Sequence, residues 1–97
     1  MTKLLMREDF EPHVGKQFRF VGTEFSLPLD HIEGSGEQPA GYVRPPFILI
    51  FVGPKPGPVL PSGIYDVEVE TGETFWIHVS PIQTMAADRQ EYQSVMA

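Results

Sequence analysis

Gly63-Ile64-Tyr65-Asp66-Val67-Glu68-Val69-Glu70-Thr71-Gly72-Glu73-Thr74-Phe75-Trp76-Ile77-His78-Val79 alternates apolar and polar side chains on either side of a Thr-Gly pair. Tyr65, Val67 and Val69 alternate with Asp66, Glu68 and Glu70, and Phe75, Ile77 and Val79 alternate with Thr74, Trp76 and His78. Successive side chains of a strand point to opposite faces, so each half reads as a strand with one apolar face. A two-residue Thr71-Gly72 turn would set Glu68 opposite Phe75 and Asp66 opposite Ile77, mixing carboxylates with the apolar set. A three-residue loop, Glu70-Thr71-Gly72, pairs Val67 with Phe75 and Tyr65 with Ile77 and keeps the faces separate. It also puts Gly72 at the third loop position, where a left-handed residue is required. The predicted hairpin therefore carries Ile64, Asp66, Glu68, Trp76 and His78 on its other face, with Asp66 opposite Trp76 and Ile64 opposite His78.

The same period runs outward from this hairpin. Phe18 and Phe20 alternate with Gln17 and Arg19, and Phe25, Leu27 and Leu29 alternate with Glu24 and Ser26. The second pattern slips at His31-Ile32, which predicts a bulge, and Pro28 places that strand at an edge or beside the bulge. Phe47 to Val52 is apolar without alternation and reads as a central strand covered on both faces. Residues 33–44 turn to Gly, Ser, Glu, Gln and Pro and read as the longest loop. Residues 54–61 read as a Pro-rich connector, and 84–88 as a polar turn. The segment from Glu91 to Met96 reads as a closing strand carrying Tyr92, Val95 and Met96. Ahead of the first strand, Glu8, Asp9 and Glu11 suit a helix start and Gly15 its end. Met6, Phe10 and Val14 then share a face that caps an open end of the β core. The expectation is one all-β domain over residues 1–97. It is a small antiparallel barrel or sandwich of five to six strands, with one short N-terminal helical turn.

Composition narrows the function classes. The 97 residues carry seven Phe, three Tyr and one Trp, and 41% of them are hydrophobic, enough for a core in one domain. Absence of Cys removes disulfides, thiolate metal sites and Cys nucleophiles. The net charge of −6, with no basic residue between Lys55 and Arg89, opposes binding to phosphate backbones or anionic membranes. The apolar stretch before Arg7 is too short for a signal-peptide core, and Phe47 to Val52 is too short to span a membrane. A cytoplasmic location is expected, and no cofactor is implied.

Chemistry-bearing constellations are sparse. His13, His31 and His78 stand apart, without metal-ligand spacing. His78 reads as a solvated surface histidine, or as one paired with Asp66 or Glu68. Asp66 and Glu68, two apart on one strand face, would stand about 7 Å apart, within the range of a glycosidase carboxylate pair. Any acidic strand face meets that test, so it does not single out an enzyme. Ser35 lies in Glu33-Gly34-Ser35-Gly36-Glu37, which is not a hydrolase elbow, and the Gly pair is not a dinucleotide fingerprint. Lys55-Pro56-Gly57-Pro58-Val59-Leu60-Pro61 matches a basic P-x-x-P ligand, but strands pin both its ends, so it reads as a structural connector. The strongest surface candidate is Trp76 with Ile64 and His78, rimmed by Asp66 and Glu68. Either it is an exposed aromatic anchor for a protein partner or for self-association, or residues 33–44 or the C-terminal segment cover it.

Asp9-Phe10-Glu11-Pro12-His13-Val14-Gly15 with Phe18, Pro46-Phe47-Ile48-Leu49-Ile50-Phe51 with Gly53-Pro54, and Leu60-Pro61-Ser62-Gly63-Ile64-Tyr65 together resemble a family of short uncharacterised bacterial proteins. The likeness extends to Ile82 and, more loosely, from Tyr92 to Met96. Ser62 stands where that family's pattern has Gln. The shared positions are mainly apolar and turn residues, so the resemblance implies a common fold and transfers no catalytic residue. Some members accompany phage-tail-like proteins, which implies a structural or assembly role. The expected function is therefore a non-catalytic interaction or structural module. A small-molecule or carbohydrate-binding domain using Trp76 is the alternative, and an enzyme ranks third.

Overall fold

The alternating segments close into a barrel. The computed structural model describes residues 4–55, 57–84 and 87–97. Pro56 of the P-x-x-P match, Met85 and Ala86 of the expected 84–88 turn, and residues 1–3 of the leading segment lie outside the described residues. The six strands are β1 (Gln17–Phe20), β2 (Ser26–Glu33), β3 (Phe47–Pro54), β4 (Gly63–Val69), β5 (Thr74–Ile82) and β6 (Arg89–Met96). All neighbours are antiparallel, in the closed order β1-β2-β3-β6-β5-β4. The barrel is thus two three-stranded meanders, β1–β2–β3 and β4–β5–β6, joined at the β1–β4 and β3–β6 seams. Closure leaves no sheet edge to protect.

The hairpin has the predicted register. Val67 pairs with Phe75, Tyr65 with Ile77, Asp66 with Trp76 and Ile64 with His78. The Val69 N–H donates to the Glu73 carbonyl at 2.8 Å, and the Gly72 N–H returns to Val69, closing the loop with Gly72 at φ 102°. Inside the barrel, Phe51 meets Phe18 and Phe20 edge-on, at 5.1 and 5.8 Å between ring centroids. Leu27, Leu29, Leu49, Val67, Val69, Ile77, Val79 and Tyr92 are buried around them.

Each end of the barrel has its own closure. Where β1, β3 and β5 begin, a single helical turn, α1 (Arg7–Phe10), passes into a 3-10 turn, η1 (Glu11–His13). Phe10 is fully buried there, 4.5 Å from Phe75 and 6.0 Å from Phe47. At the opposite end the connector between β3 and β4 crosses the barrel and inserts Leu60. Its backbone N–H donates to the Tyr92 hydroxyl at 3.1 Å, so the connector is tied to the core by a buried hydrogen bond.

The structure refines several local expectations. His13, not Val14, faces the core beside Phe10: it is 4% exposed, whereas Val14 is at the surface. The cause is the tightening at Pro12, since a three-residue repeat aligns position 13 with position 10 where an α-helix would align 14. In β6 the inward residues are Tyr92, Ser94 and Met96, and Val95 points outward. Adjacent residues cannot share a strand face, so Tyr92 and Met96 dictate the phase and draw Ser94 inside. Of the two places expected for Pro28, the structure takes the one beside the bulge, next to the register shift between Leu29 and His31. Strand β2 has no free edge, being paired on both sides. The Leu29 N–H donates to Lys16 of the β1 side, which turns the Pro28 nitrogen toward β3, where pairing starts only at Leu29. No ladder bond is lost. Finally, β3 is the central strand expected, but its outer side is only partly covered: Ile50 is 4% exposed, while Ile48 and Val52 are half-buried. The bulge falls between Leu29 and His31, one residue earlier than the slip in the pattern.

Candidate functional site

The β4–β5 wall presents the predicted surface cluster. Trp76 is 66% exposed and Ile64 57%, so neither residues 33–44 nor the C-terminal strand covers them. Asp66 stands directly opposite Trp76, and His78 opposite Ile64. The register brings all five predicted residues onto one outer face because the three-residue loop assigns every even-numbered position of the hairpin to that face. Val21 extends the patch: its N–H donates to the Asp66 carbonyl at 2.9 Å, and its side chain is exposed at the end of β1. Sequence reasoning passed over Val21 because it follows the last paired residue of a short strand.

The carboxylates have separate roles. Glu68 is engaged by Arg19 across the β1–β4 seam, with Oε1 at 3.0 Å from a guanidinium nitrogen. Asp66 and His78 make no ion pair among the described residues: His78 is exposed at the surface as expected, and the alternative link to Asp66 or Glu68 is absent. The reason is register, since Ile64 and not a carboxylate faces His78 across the strands.

A second polar cluster lies on the β2–β6 side. The bulge turns Asp30 and His31 outward, and the His31 ring nitrogens lie 2.7 Å from Asp30 and 3.0 Å from Glu33. Arg89 reaches Asp30 at 3.8 Å and Glu91 at 3.1 Å. Hydrogen bonding to Asp30 first, and to Glu33 second, raises the His31 pKa above its ordinary value of 6.5. A histidine favoured in its charged form stabilises the fold fully below its unfolded pKa, and that contribution fades as pH rises through the folded pKa. The expected outcome is that the native protein loses about 0.2–1 kcal/mol between mildly acidic pH and pH 8, the range of an exposed ion pair. His31→Gln should lack that increment. Melting curves at both pH values check it; identical pH slopes for the two proteins would disprove the assignment. No group of three or more potential ligands is placed to hold a metal ion among the described residues.

Elsewhere, His13 lies under the N-terminal turn, edge-on to Phe18 and Phe75, with Nε2 3.4 Å from Glu73. It ties the cap to the β4–β5 loop. A cleft of about 340 Å³ between residues 33–35, Tyr42, Ile48 and Val95 marks where the long loop lies against the outer side of β3 and β6. That loop is anchored at both ends: Arg7 donates to the Gly34 carbonyl at 2.9 Å, and Arg44 donates to the Leu5 carbonyl while stacking over Phe47. A further cleft of about 290 Å³ opens beside Tyr92 at the connector end. No helix among the described residues is long and apolar enough to cross a membrane.

Compared with known protein families, residues 5–96 match one described as a domain of unknown function, DUF6916. Comparison with curated proteins and with solved structures finds no match.

Proposed function

We propose that this chain, which belongs to the DUF6916 family, is a non-catalytic interaction or structural module that docks a protein partner on the outer wall of β4 and β5. One observation carries the reading: Trp76 stands 66% exposed on a rigid, fully paired hairpin, with Ile64 beside it and Asp66 opposite. A tryptophan left in water on regular structure gives nothing to the fold, whereas at an interface it supplies a large apolar area at little entropic cost. Asp66 beside it suits a partner pocket that carries Lys or Arg, while Glu68 farther along the strand is already held by Arg19. A role in assembly follows naturally, since a small closed barrel offers a stiff wall and no edge for uncontrolled strand addition.

Trp76→Ala tests it. The variant should melt within about 0.5 kcal/mol of the native protein, as surface substitutions do. Its partner binding or self-association should weaken by about 2 kcal/mol, the scale of a hot-spot residue. Sedimentation and calorimetry on the one variant read both quantities. A loss of about 3–5 kcal/mol in folding stability, with association unaltered per folded molecule, would instead mark a core residue and remove the proposed site.

A further inference from the structure

The two meanders use their middle strands alike, and only one of the resulting niches is filled. Phe25 at the entry to β2 and Phe75 at the entry to β5 are both partly buried aromatics on the inward side, followed at two-residue steps by Leu27 and Leu29 or by Ile77 and Val79. Phe75 is covered by Phe10 from the N-terminal turn, at 4.5 Å between ring centroids. Phe25 has no such cover. It lines the open cleft of about 290 Å³ with Glu24, Leu27, Pro54, Pro58 and Tyr92. The cleft exists because β2 pairs with β3 only from Leu29 onward, so the entry to β2 and the end of β3 part company. Two of its walls close against Gly53, where a Cβ would lie 3.0 Å from Leu27 Cδ2 and 3.5 Å from Tyr92 Cε2.

We propose that this cleft receives an aromatic side chain of a partner polypeptide that carries a basic residue beside it. The filled niche shows what such a site accepts in this fold, a phenyl ring delivered by a short turn. The volume agrees, since an apolar cavity of roughly 150 Å³ takes a benzene ring and small-molecule clefts begin at roughly 300 Å³. Charge supplies the second half of the recognition. Glu24 is the one charged residue among those lining the cleft, it makes no ion pair among the described residues, and the chain carries a net charge of −6. The Ser26 hydroxyl donates to Gln17, so the carboxylate of Glu24 is the charged acceptor for the basic group. This site is at the opposite end of the barrel from Phe10, and it does not depend on the Trp76 wall.

The test is an amide-resolved NMR titration of the full chain with three blocked tripeptides, Lys-Phe-Lys, Glu-Phe-Glu and Lys-Ala-Lys, and with free phenethylamine. Lys-Phe-Lys should give saturable shifts at Phe25, Leu27, Gly53 and Tyr92. Glu-Phe-Glu should bind more weakly, and Lys-Ala-Lys should leave those residues unmoved. Glu24→Gln, an exposed change that should leave the melting temperature unaltered, should weaken Lys-Phe-Lys roughly threefold, as loss of an exposed ion pair allows. Trp76→Ala should bind the peptide normally, which separates this site from the one proposed above. Equal shifts with Lys-Ala-Lys, or no effect of Glu24→Gln, would overturn the proposal. Tighter binding of phenethylamine than of the peptide would also overturn it, making the cleft a small-molecule site.

Discussion

Phe51→Asp is expected to abolish folding. Phe51 is fully buried in the middle of β3, wedged edge-on between Phe18 and Phe20 of β1, with pairing to Leu29 on one side and Tyr92 on the other. The substitution removes a ring whose loss alone costs about 3–5 kcal/mol. It then places a carboxyl group against the Phe18 and Phe20 rings, with Leu29 and Tyr92 as its direct neighbours on the flanking strands. Burying a polar group without a partner adds several kcal/mol, and an ionised carboxylate more. Domains of this size are stable by about 5–15 kcal/mol, so the two effects together exhaust the margin. Circular dichroism and calorimetry at neutral pH should show no cooperative transition. A variant that melts cooperatively within about 2 kcal/mol of the native protein would show that the barrel interior admits water at Phe51, contrary to the packing described.

Phe10→Ala is the second large effect, and its distribution matters as much as its size. The ring bridges Phe75 of β5 and Phe47 of β3, so truncation should cost about 3–5 kcal/mol. The other ties of the cap are polar: the Arg7 bonds to the carbonyls of Gly34 and Ile32, the Arg44 bond to the Leu5 carbonyl, the Gly15 N–H bond to the Leu29 carbonyl, and His13 beside Glu73. Hydrogen exchange should therefore speed up first at residues 7–16, well before the strands. Protection at Leu60 and Tyr92, at the far end, should fall only with global stability. Uniform loss of protection in every strand, with the cap no faster than the rest, would mean that cap and barrel are one cooperative unit.

Most of the wall was legible in the sequence because a strand writes its face into a two-residue period. The β4–β5 register followed from a single consistency requirement, that the apolar set of one strand face the apolar set of the other. The outer cluster of Ile64, Asp66, Glu68, Trp76 and His78 came with that register. Where the period is diluted, legibility fails. β6 has only Tyr92 and Met96 to hold its phase, and nothing in the segment itself marks Ser94 as inward and Val95 as outward. In the N-terminal turn the period itself changes, from four residues to three at Pro12, which exchanges Val14 for His13. The cleft beside Phe25 was invisible for a different reason. It is defined by the absence of pairing between the start of β2 and the end of β3, and no local pattern announces where two distant strands separate. The choice of barrel over sandwich likewise rests on the β1–β4 seam, which joins residues about fifty positions apart.

The order β1-β2-β3-β6-β5-β4 has a bearing on how the molecule is made. Strand β3, the most apolar stretch of the chain, finds one neighbour in β2 early but must wait for β6 to cover its other edge. A ribosome adding about 5–20 residues per second needs roughly 2–8 s to pass from Pro54 to Met96. Throughout that interval Phe47 to Val52 is a nascent strand with one open side, the state in which chains of this kind pair with the wrong partner. Pro45 and Pro46 before it, and Pro54 at its end, act as gatekeepers, because they offer no N–H donor to a strand that pairs alongside. The abundance of proline around β3 thus protects the chain during synthesis, a danger that ends once the barrel has closed.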